Sequence, residues 1–339
     1  MVVPDFRRNP MTGEPEYDVL IAGQGAAAYA AALYAARYQM KPVVVGEEFG
    51  GETAIGGSIE NYPGYVDIDG FDLMVKFREQ AIKYEVPIVQ ANLVHVKKDR
   101  GWFVSELSDG TRARSLAVIL AIGRERRKLG LPNEVEWMGR GVSFCSTCDA
   151  PLFKGKKAVA VVGGGDAAVE GAILLSKYAK DVYIVYRREA FTRPEPINVQ
   201  LLNERENVHQ VMNTEIAELL GDDEKGLTGV RLSQPFEGRS EIDVDGIFIE
   251  IGADPRVEIP KELGVRLDPI TNEVNVDKMM RTNVAGLFAA GDLTNGSGPL
   301  KQTVTAAAQG AIAALSAYMY VSEHRSAMKG EKAVAITRI

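Results

Sequence analysis

Gly163-Gly164-Gly165-Asp166-Ala167-Ala168 repeats, 140 residues on, the pattern of Gly23-Gln24-Gly25-Ala26-Ala27-Ala28. Each stretch follows a short apolar run, 18–22 or 158–162, and opens a helix-forming run without a breaker, 29–38 or 169–178. A further apolar run, 42–45 or 182–186, completes a βαβ unit in each case. Glycines in such a turn let the backbone approach a pyrophosphate, and the helix behind offers it unpaired N–H groups and a positive dipole end. One such turn is weak evidence. Two, each in the strand–turn–helix setting that the motif demands, make an internal repeat of nucleotide-binding units.

The side chain at the end of each unit's second strand, where the adenosine ribose would lie, separates the two. Glu47 stands 24 residues after Gly23, and Arg187 stands 24 residues after Gly163 with Arg188 beside it. A carboxylate there accepts from a ribose 2′-OH, whereas arginine holds a 2′-phosphate. The first unit therefore suits FAD and the second suits NADPH, with NADH the less favoured nicotinamide.

Around these units the chain reads as an α/β protein of two Rossmann-like, three-layer ββα nucleotide-binding domains. Residues 1–16 are polar and without periodicity, a loose tail. Between the units lie a Gly/Glu-rich segment at 46–64, a helix at about 71–84, a three-stranded excursion at about 86–114, and an apolar strand at 116–123 ending in Gly123. After the second unit come a buried strand at 243–252, the run Gly286-Leu287-Phe288-Ala289-Ala290-Gly291-Asp292, and an alanine-rich helix at about 303–322. That ending returns to the first domain, so the second is an insertion. The expected limits are 17–125 and 252–339 for the FAD-binding domain, and 126–251 for the NADP-binding domain.

The 339 residues are 46% hydrophobic and 25% charged, which argues against disordered and fibrous classes. A net charge of −7 disfavours nucleic acid and anionic membrane as partners. No apolar run reaches the ~20 residues of a bilayer span, and the N-terminus lacks a secretory pattern. The expectation is a soluble, intracellular protein.

Both cysteines fall in Cys145-Ser146-Thr147-Cys148. Such a pair is half of a zinc knuckle, a redox dithiol or a chance neighbourhood. Zinc is the poorest of the three, because a structural site takes four ligands and His95, His209 and His324 are not in ligand spacing; no metal is expected. A dithiol this tight closes a small ring, and a thiol of lowered pKa is a competent nucleophile at neutral pH. Asp149 follows directly and is the candidate to move the proton, or else a turn or helix cap.

The chain resembles the low-molecular-weight, bacterial- and archaeal-type thioredoxin reductases over nearly its whole length after the tail. Gly50-Gly51 with Ile59-Glu60-Asn61-Tyr62-Pro63-Gly64 is similar to their flavin-side loop, and Lys128-Leu129-Gly130-Leu131-Pro132 with Gly139-Arg140-Gly141-Val142-Ser143 leads into Cys145–Asp149 as theirs does. Gly163 to Glu170 with Arg187-Arg188-Glu189-Ala190-Phe191 resembles their NADPH site. Ala289-Ala290-Gly291-Asp292 with Lys301-Gln302-Thr303 resembles their C-terminal flavin contact. The resemblance implies flavin contacts at Gly23, Gly25, Ala26, Ala27, Gly46, Glu47, Gly50, Gly51, Glu52, Asn61, Ala121, Gly123, Gly291, Asp292, Lys301, Gln302 and Thr303. For NADPH it implies Gly163, Gly165, Asp166, Ala167, Arg187 and Arg188. It also implies that Cys148 faces the flavin, Cys145 attacks the partner's disulfide and Asp149 is the acid/base, in a cytoplasmic homodimer that reduces a thioredoxin- or glutaredoxin-like protein.

The chain departs from that pattern in places. Glu52 stands for a usual Gln, Ile122 for Thr, Lys301 for Arg, Tyr186 for His and Thr192 for a third Arg, with Arg193 next; Ala150-Pro151 replaces a Gly-aromatic pair. Rival readings on the same fold are a dithiol oxidase, a flavin disulfide oxidoreductase that does not use nicotinamide, and a flavin redox sensor that does not turn over. Arg187 and Arg188 speak against the oxidase.

Overall fold

The computed structural model describes residues 15–55, 57–191, 194–222 and 224–328. Most of the tail, Thr192 and Arg193 lie outside the described residues. The chain is mixed α/β with parallel sheets and divides into two compact units, one running to Arg124 and resuming at Pro255, the other Glu125–Asp254.

The first unit starts with β1 (Glu16–Ala22), α1 (Ala26–Arg37) and β2 (Pro42–Val45), the strands parallel from Val19↔Pro42 to Ala22↔Val45. Their near-continuous burial is that of a sheet covered on both faces. A short α2 (Gly51–Ala54) precedes α3 (Gly70–Ile82), which Asp69 caps by accepting from the N–H groups of Phe71 and Asp72. Strands β3 (Ile88–Val89), β4 (Leu93–Asp99), β5 (Trp102–Leu107) and β6 (Arg112–Leu120) complete this part, in sheet order β3-β2-β1-β6-β5-β4.

β6 corrects the sequence reading. The third strand of the excursion and the apolar strand expected from Leu116 are one strand, because the single residue between Arg114 and Leu116, the buried Ser115, leaves no room for a turn. Its burial alternates at first and is continuous from Leu116 onward. The early residues pair antiparallel with β5, and the strand also runs parallel to β1.

The second unit holds β7 (Val142–Ser143), α4 (Ser146–Asp149), β8 (Ala158–Val162), α5 (Asp166–Leu175), β9 (Asp181–Tyr186), α6 (Pro196–Asn203) and β10 (Val208–Met212). Strands β11 (Ile216–Asp222), β12 (Gly226–Phe236) and β13 (Arg239–Asp243) form a separate antiparallel sheet, and β14 (Gly246–Ile249) closes the parallel one, ordered β7-β14-β8-β9-β10. The chain then returns to the first unit, where β15 (Leu287–Ala289) pairs parallel with β6 and α7 (Thr303–Met328) packs along α1.

Gly310 makes that packing close, since a Cβ there would stand 2.0 Å from the Ala27 carbonyl oxygen. By length and composition the Thr303–Arg325 stretch passes for a membrane span, where inspection of the sequence found no such run. Its Ala313, Ala314, Ala317 and Val321 lie in the core beside the alanines of α1. In both units the loops beyond the carboxyl ends of the parallel strands gather the residues singled out by the sequence, as open α/β sheets place their ligands.

Candidate active site

Cys145 and Cys148 are joined as a disulfide with Cα atoms 5.3 Å apart. Cys145 is the N-cap of α4, and its Sγ accepts a hydrogen bond from the Cys148 N–H at 3.1 Å. A helix N-terminus with an N–H aimed at sulfur favours the thiolate at that position. Cys145 is half-buried and Cys148 is exposed. The Asp149 N–H donates to the Cys145 carbonyl, which ties the acid's backbone to the first cysteine.

The same unit carries the second glycine turn. Gly163 has φ +145°, and a Cβ there would lie 2.2 Å from the Glu250 carbonyl oxygen, so only glycine lets β8 and the end of β14 come this close. Around Gly165 a Cβ would meet nothing within 4 Å, and no side chain caps α5. The Asp166 carboxylate is engaged within the unit, accepting from the Glu195 N–H at 2.7 Å and from Asn198, while Ala167 is exposed. Arg187 and Arg188 are exposed at the end of β9, and neither guanidinium pairs with a described residue. The ring of Tyr186, stacked on Phe191 at 5.6 Å, fills the place a side chain on Gly164 would take.

In the first unit Gly23, at φ +114°, packs so tightly on the end of β6 that a Cβ would come 2.1 Å from the Ala121 carbonyl oxygen. No side chain caps α1 and no acid stands in its first turn, in contrast to the capped α3. Above that helix end a Cβ on Gly25 would reach only the Gly50 carbonyl, 4.0 Å away, and Gly51 would reach the Gly25 Cα at 3.5 Å. The N–H of Gly46 is bonded to Val89, and Gly123, at φ +64°, has open space around it.

Glu47 is held by two residues the sequence reading missed. Its Oε1 accepts from Ser108 Oγ at 2.6 Å and its Oε2 from Asn92 Nδ2 at 2.8 Å, while its own N–H donates to Asn92 Oδ1 at 3.1 Å. Nothing in their spacing marks them, because they arrive from β4 and β5 through sheet pairing. Asn61 Nδ2 donates to Gln302 Oε1 at 3.2 Å, and the hydroxyls of Thr53 and Thr303 meet at 3.0 Å, so the loop after α2 and the start of α7 come together. Gly291 follows, a Cβ there lying 3.1 Å from that of Ala27.

Asp292 is the group most clearly set aside for a ligand. Burial pushes its carboxyl above the usual range, with Arg124 and Lys301 pulling it back and Glu52 and Glu273 adding to the rise. Its carboxylate accepts no hydrogen bond from a described residue, an acceptor that a ligand hydroxyl would satisfy. Lys301 donates to the Thr294 carbonyl at 2.5 Å and pairs with the buried Glu273 at 2.9 Å, and Arg124 pairs with Glu273 and donates to the Asp292 carbonyl at 3.0 Å. Arg124 and Glu273 were also missed. The uncapped α1, the space above Gly25 and the orphaned Asp292 carboxylate fit a flavin dinucleotide, and the uncapped α5, open Gly165 and unpaired arginines fit a phosphorylated nicotinamide one.

A family model described as pyridine nucleotide-disulphide oxidoreductase matches residues 17–310. The chain is similar to the thioredoxin reductase of Mycolicibacterium smegmatis, 38% identical over 92% of this chain and 99% of that protein. It is 35% identical to a bifunctional thioredoxin reductase/thioredoxin of Mycobacterium leprae (strain TN), over 95% of this chain and 69% of that protein. Among solved structures, Lactococcus lactis thioredoxin reductase in its FR conformation matches at a TM-score of 0.83 and 34% identity, covering 91% of this chain and 99% of that one. T. acidophilum thioredoxin reductase matches at 0.81 and 37%, covering 89% and 98%.

Proposed function

This chain belongs to the pyridine nucleotide-disulphide oxidoreductase family, among the thioredoxin reductases, and we propose that it reduces a thioredoxin- or glutaredoxin-like protein with electrons from NADPH. The observation that carries the reading is Cys145–Cys148, an N-capping disulfide in the same unit as an uncapped nucleotide-type helix end. Bound FAD supplies the two-electron relay between nicotinamide and sulfur.

We assign FAD to the first unit and NADPH to the second. Glu47 meets the adenosine ribose, the α1 N-terminus the pyrophosphate, and Asp292 a hydroxyl of the flavin side chain. Arg187 and Arg188 hold the 2′-phosphate. Their exposure and the lack of an acidic partner among the described residues support NADPH over NADH, and speak against an oxidase that does without the nucleotide.

Reduction of the Cys145–Cys148 bond takes two electrons and two protons and leaves two thiols. The Cys145 thiolate, favoured by the helix end, attacks the partner's disulfide to form a mixed disulfide and expel one partner thiolate. Cys148 then attacks Cys145 Sγ, which restores the internal disulfide and releases the second partner thiol. Asp149 moves the protons as thiol and thiolate interconvert. By family resemblance alone, we also infer a homodimer acting in the cytoplasm. The test is an anaerobic titration of the yellow holoprotein with NADPH or NADH, followed by oxidised thioredoxin. Bleaching by NADPH and reoxidation by thioredoxin are expected; a flavin that neither nucleotide bleaches would defeat the reading.

A further inference from the structure

Ser146, the buried second residue of the redox tetrapeptide, gives its backbone N–H and its hydroxyl to one oxygen, Glu250 Oε1, at 3.1 and 2.9 Å. The other carboxylate oxygen pairs with Arg126 Nη1 at 3.4 Å, with the Glu250 side chain only 9% exposed. On the other side, α5 carries Gly171, where a Cβ would fall 2.6 Å from Ser146 Oγ. Ser146 thus sits between a helix that has no side chain to push it away and a carboxylate that takes both its donors. Glu250 is itself fixed, immediately after β14, by its N–H bond to the Val162 carbonyl beside Gly163.

We propose that Glu250 is a positioning residue of the redox centre, which ties the tetrapeptide to the end of β14 through Ser146 and holds a negative charge against Cys145. The proposal rests on the reading of Cys145–Cys148 as a working disulfide. A thiol at a helix N-terminus becomes acidic, and an over-stabilised thiolate is a weaker nucleophile and a more readily expelled leaving group. Glu250 opposes that in two ways. It takes the Ser146 N–H at the first turn of α4, where the Cys148 N–H donates to Sγ, and its charge disfavours a second charge on the sulfur of the preceding residue.

The charged groups about this point are Arg126, which pairs with Glu250, and Glu170 of α5, which itself faces Asp166 and Glu195. Burial raises the Glu250 carboxyl, offset by Arg126 and the two Ser146 bonds; Glu170 is raised by burial, then by Asp166, with Glu250 a smaller cause. Glu250 therefore gains its charge later in a pH titration than an ordinary glutamate, and from then on it opposes the Cys145 thiolate.

The test reads the thiol directly, without requiring flavin turnover. The fully reduced protein is alkylated with iodoacetamide across pH, and modification of Cys145 is followed by mass spectrometry. Glu250→Gln keeps an acceptor for Ser146 but loses the charge, so the Cys145 midpoint should fall by about one pH unit, a tenfold gain in acidity. Glu250→Asp should return it toward the wild type. Ser146→Ala, which removes the bridging hydroxyl alone, should move it the same way by less. Above the midpoint the reduced form of Glu250→Gln should gain about tenfold against glutathione, roughly 30 mV. Should Glu250→Gln fail to fold, Ser146→Ala still reads the midpoint, because it leaves the Glu250–Arg126 pair in place. A folded Glu250→Gln protein with wild-type midpoint and glutathione equilibrium, or a folded Ser146→Ala protein whose midpoint does not move, overturns the proposal. If wild-type Cys145–Cys148 does not turn over with thioredoxin at all, the functional assignment fails instead.

Discussion

Ser108 donates its hydroxyl hydrogen bond to Glu47 across 61 residues of chain, at 2.6 Å, and takes a hydrogen bond from the Asn92 N–H at 3.0 Å. With the Asn92 side-chain amide bonded to both the backbone N–H and the carboxylate of Glu47, the three residues form a closed ring that fixes the carboxylate at the end of β2. Each carboxylate oxygen keeps a lone pair for a ribose hydroxyl. Ser108→Ala or Asn92→Ala should therefore weaken FAD by about 2–10-fold each, at ~0.5–1.5 kcal/mol per lost bond, and Glu47→Ala by more. Flavin fluorescence titration of the apoprotein reads this. FMN, which has no adenosine, should bind all three variants as it binds the wild type; equal losses for FMN and FAD would remove the ribose from the explanation.

Arg187 and Arg188 should separate the nicotinamides. A charged hydrogen bond contributes about 1.5–3 kcal/mol, so neutralising both should raise the KM for NADPH by at least tenfold. NADH, without the 2′-phosphate, should change little. Stopped-flow flavin reduction with each nucleotide measures the ratio, and a parallel loss for both would show that the pair does not read the phosphate.

Much of this was legible in the chain because it is local. The two glycine turns, the paired offsets to Glu47 and Arg187 and the Cys-x-x-Cys spacing are patterns within one βαβ unit or one turn. What escaped depends on sheet pairing. Asn92 and Ser108 reach Glu47 only because β4 and β5 join the sheet of β2, and Glu250 reaches Ser146 only because β14 lies between β7 and β8. Asp166 adds a contact that the motif does not show: the resemblance implies a nucleotide contact there, and in the fold its carboxylate also holds the Glu195 N–H and Asn198. The continuous β6 was split in reading because its period changes where its partners change, from an alternating start to a fully covered end.

Cys148→Ser should divide the reaction. With one sulfur left, Cys145 can form a mixed disulfide but nothing resolves it, so turnover of thioredoxin should vanish while NADPH still bleaches the flavin. The stalled adduct should be visible by non-reducing electrophoresis. Multiple turnover by this variant would place the dithiol outside the electron path.

Asp292 gives a pH dependence whose sign can be worked out. Burial raises its folded-state carboxyl pKa above the unfolded value, even with Arg124 and Lys301 opposing. A raised acid favours the folded state while both states are protonated, below the ordinary range near 4, and that advantage is lost as pH climbs through the folded value. Asp292→Asn is neutral throughout. Apoprotein melting temperatures of the variant and wild type should therefore differ least near pH 4 and diverge toward neutrality, with Asn the more stable, levelling once the native carboxyl has ionised. Flavin content should move the opposite way, because an acceptor-only carboxylate is replaced by a group that also presents donors to the ligand. Differential scanning calorimetry of both apoproteins from pH 4 to 8 checks the first half and absorbance of the purified holoproteins the second. A stability offset that does not change with pH would mean that Asp292 is not held out of water as its surroundings indicate.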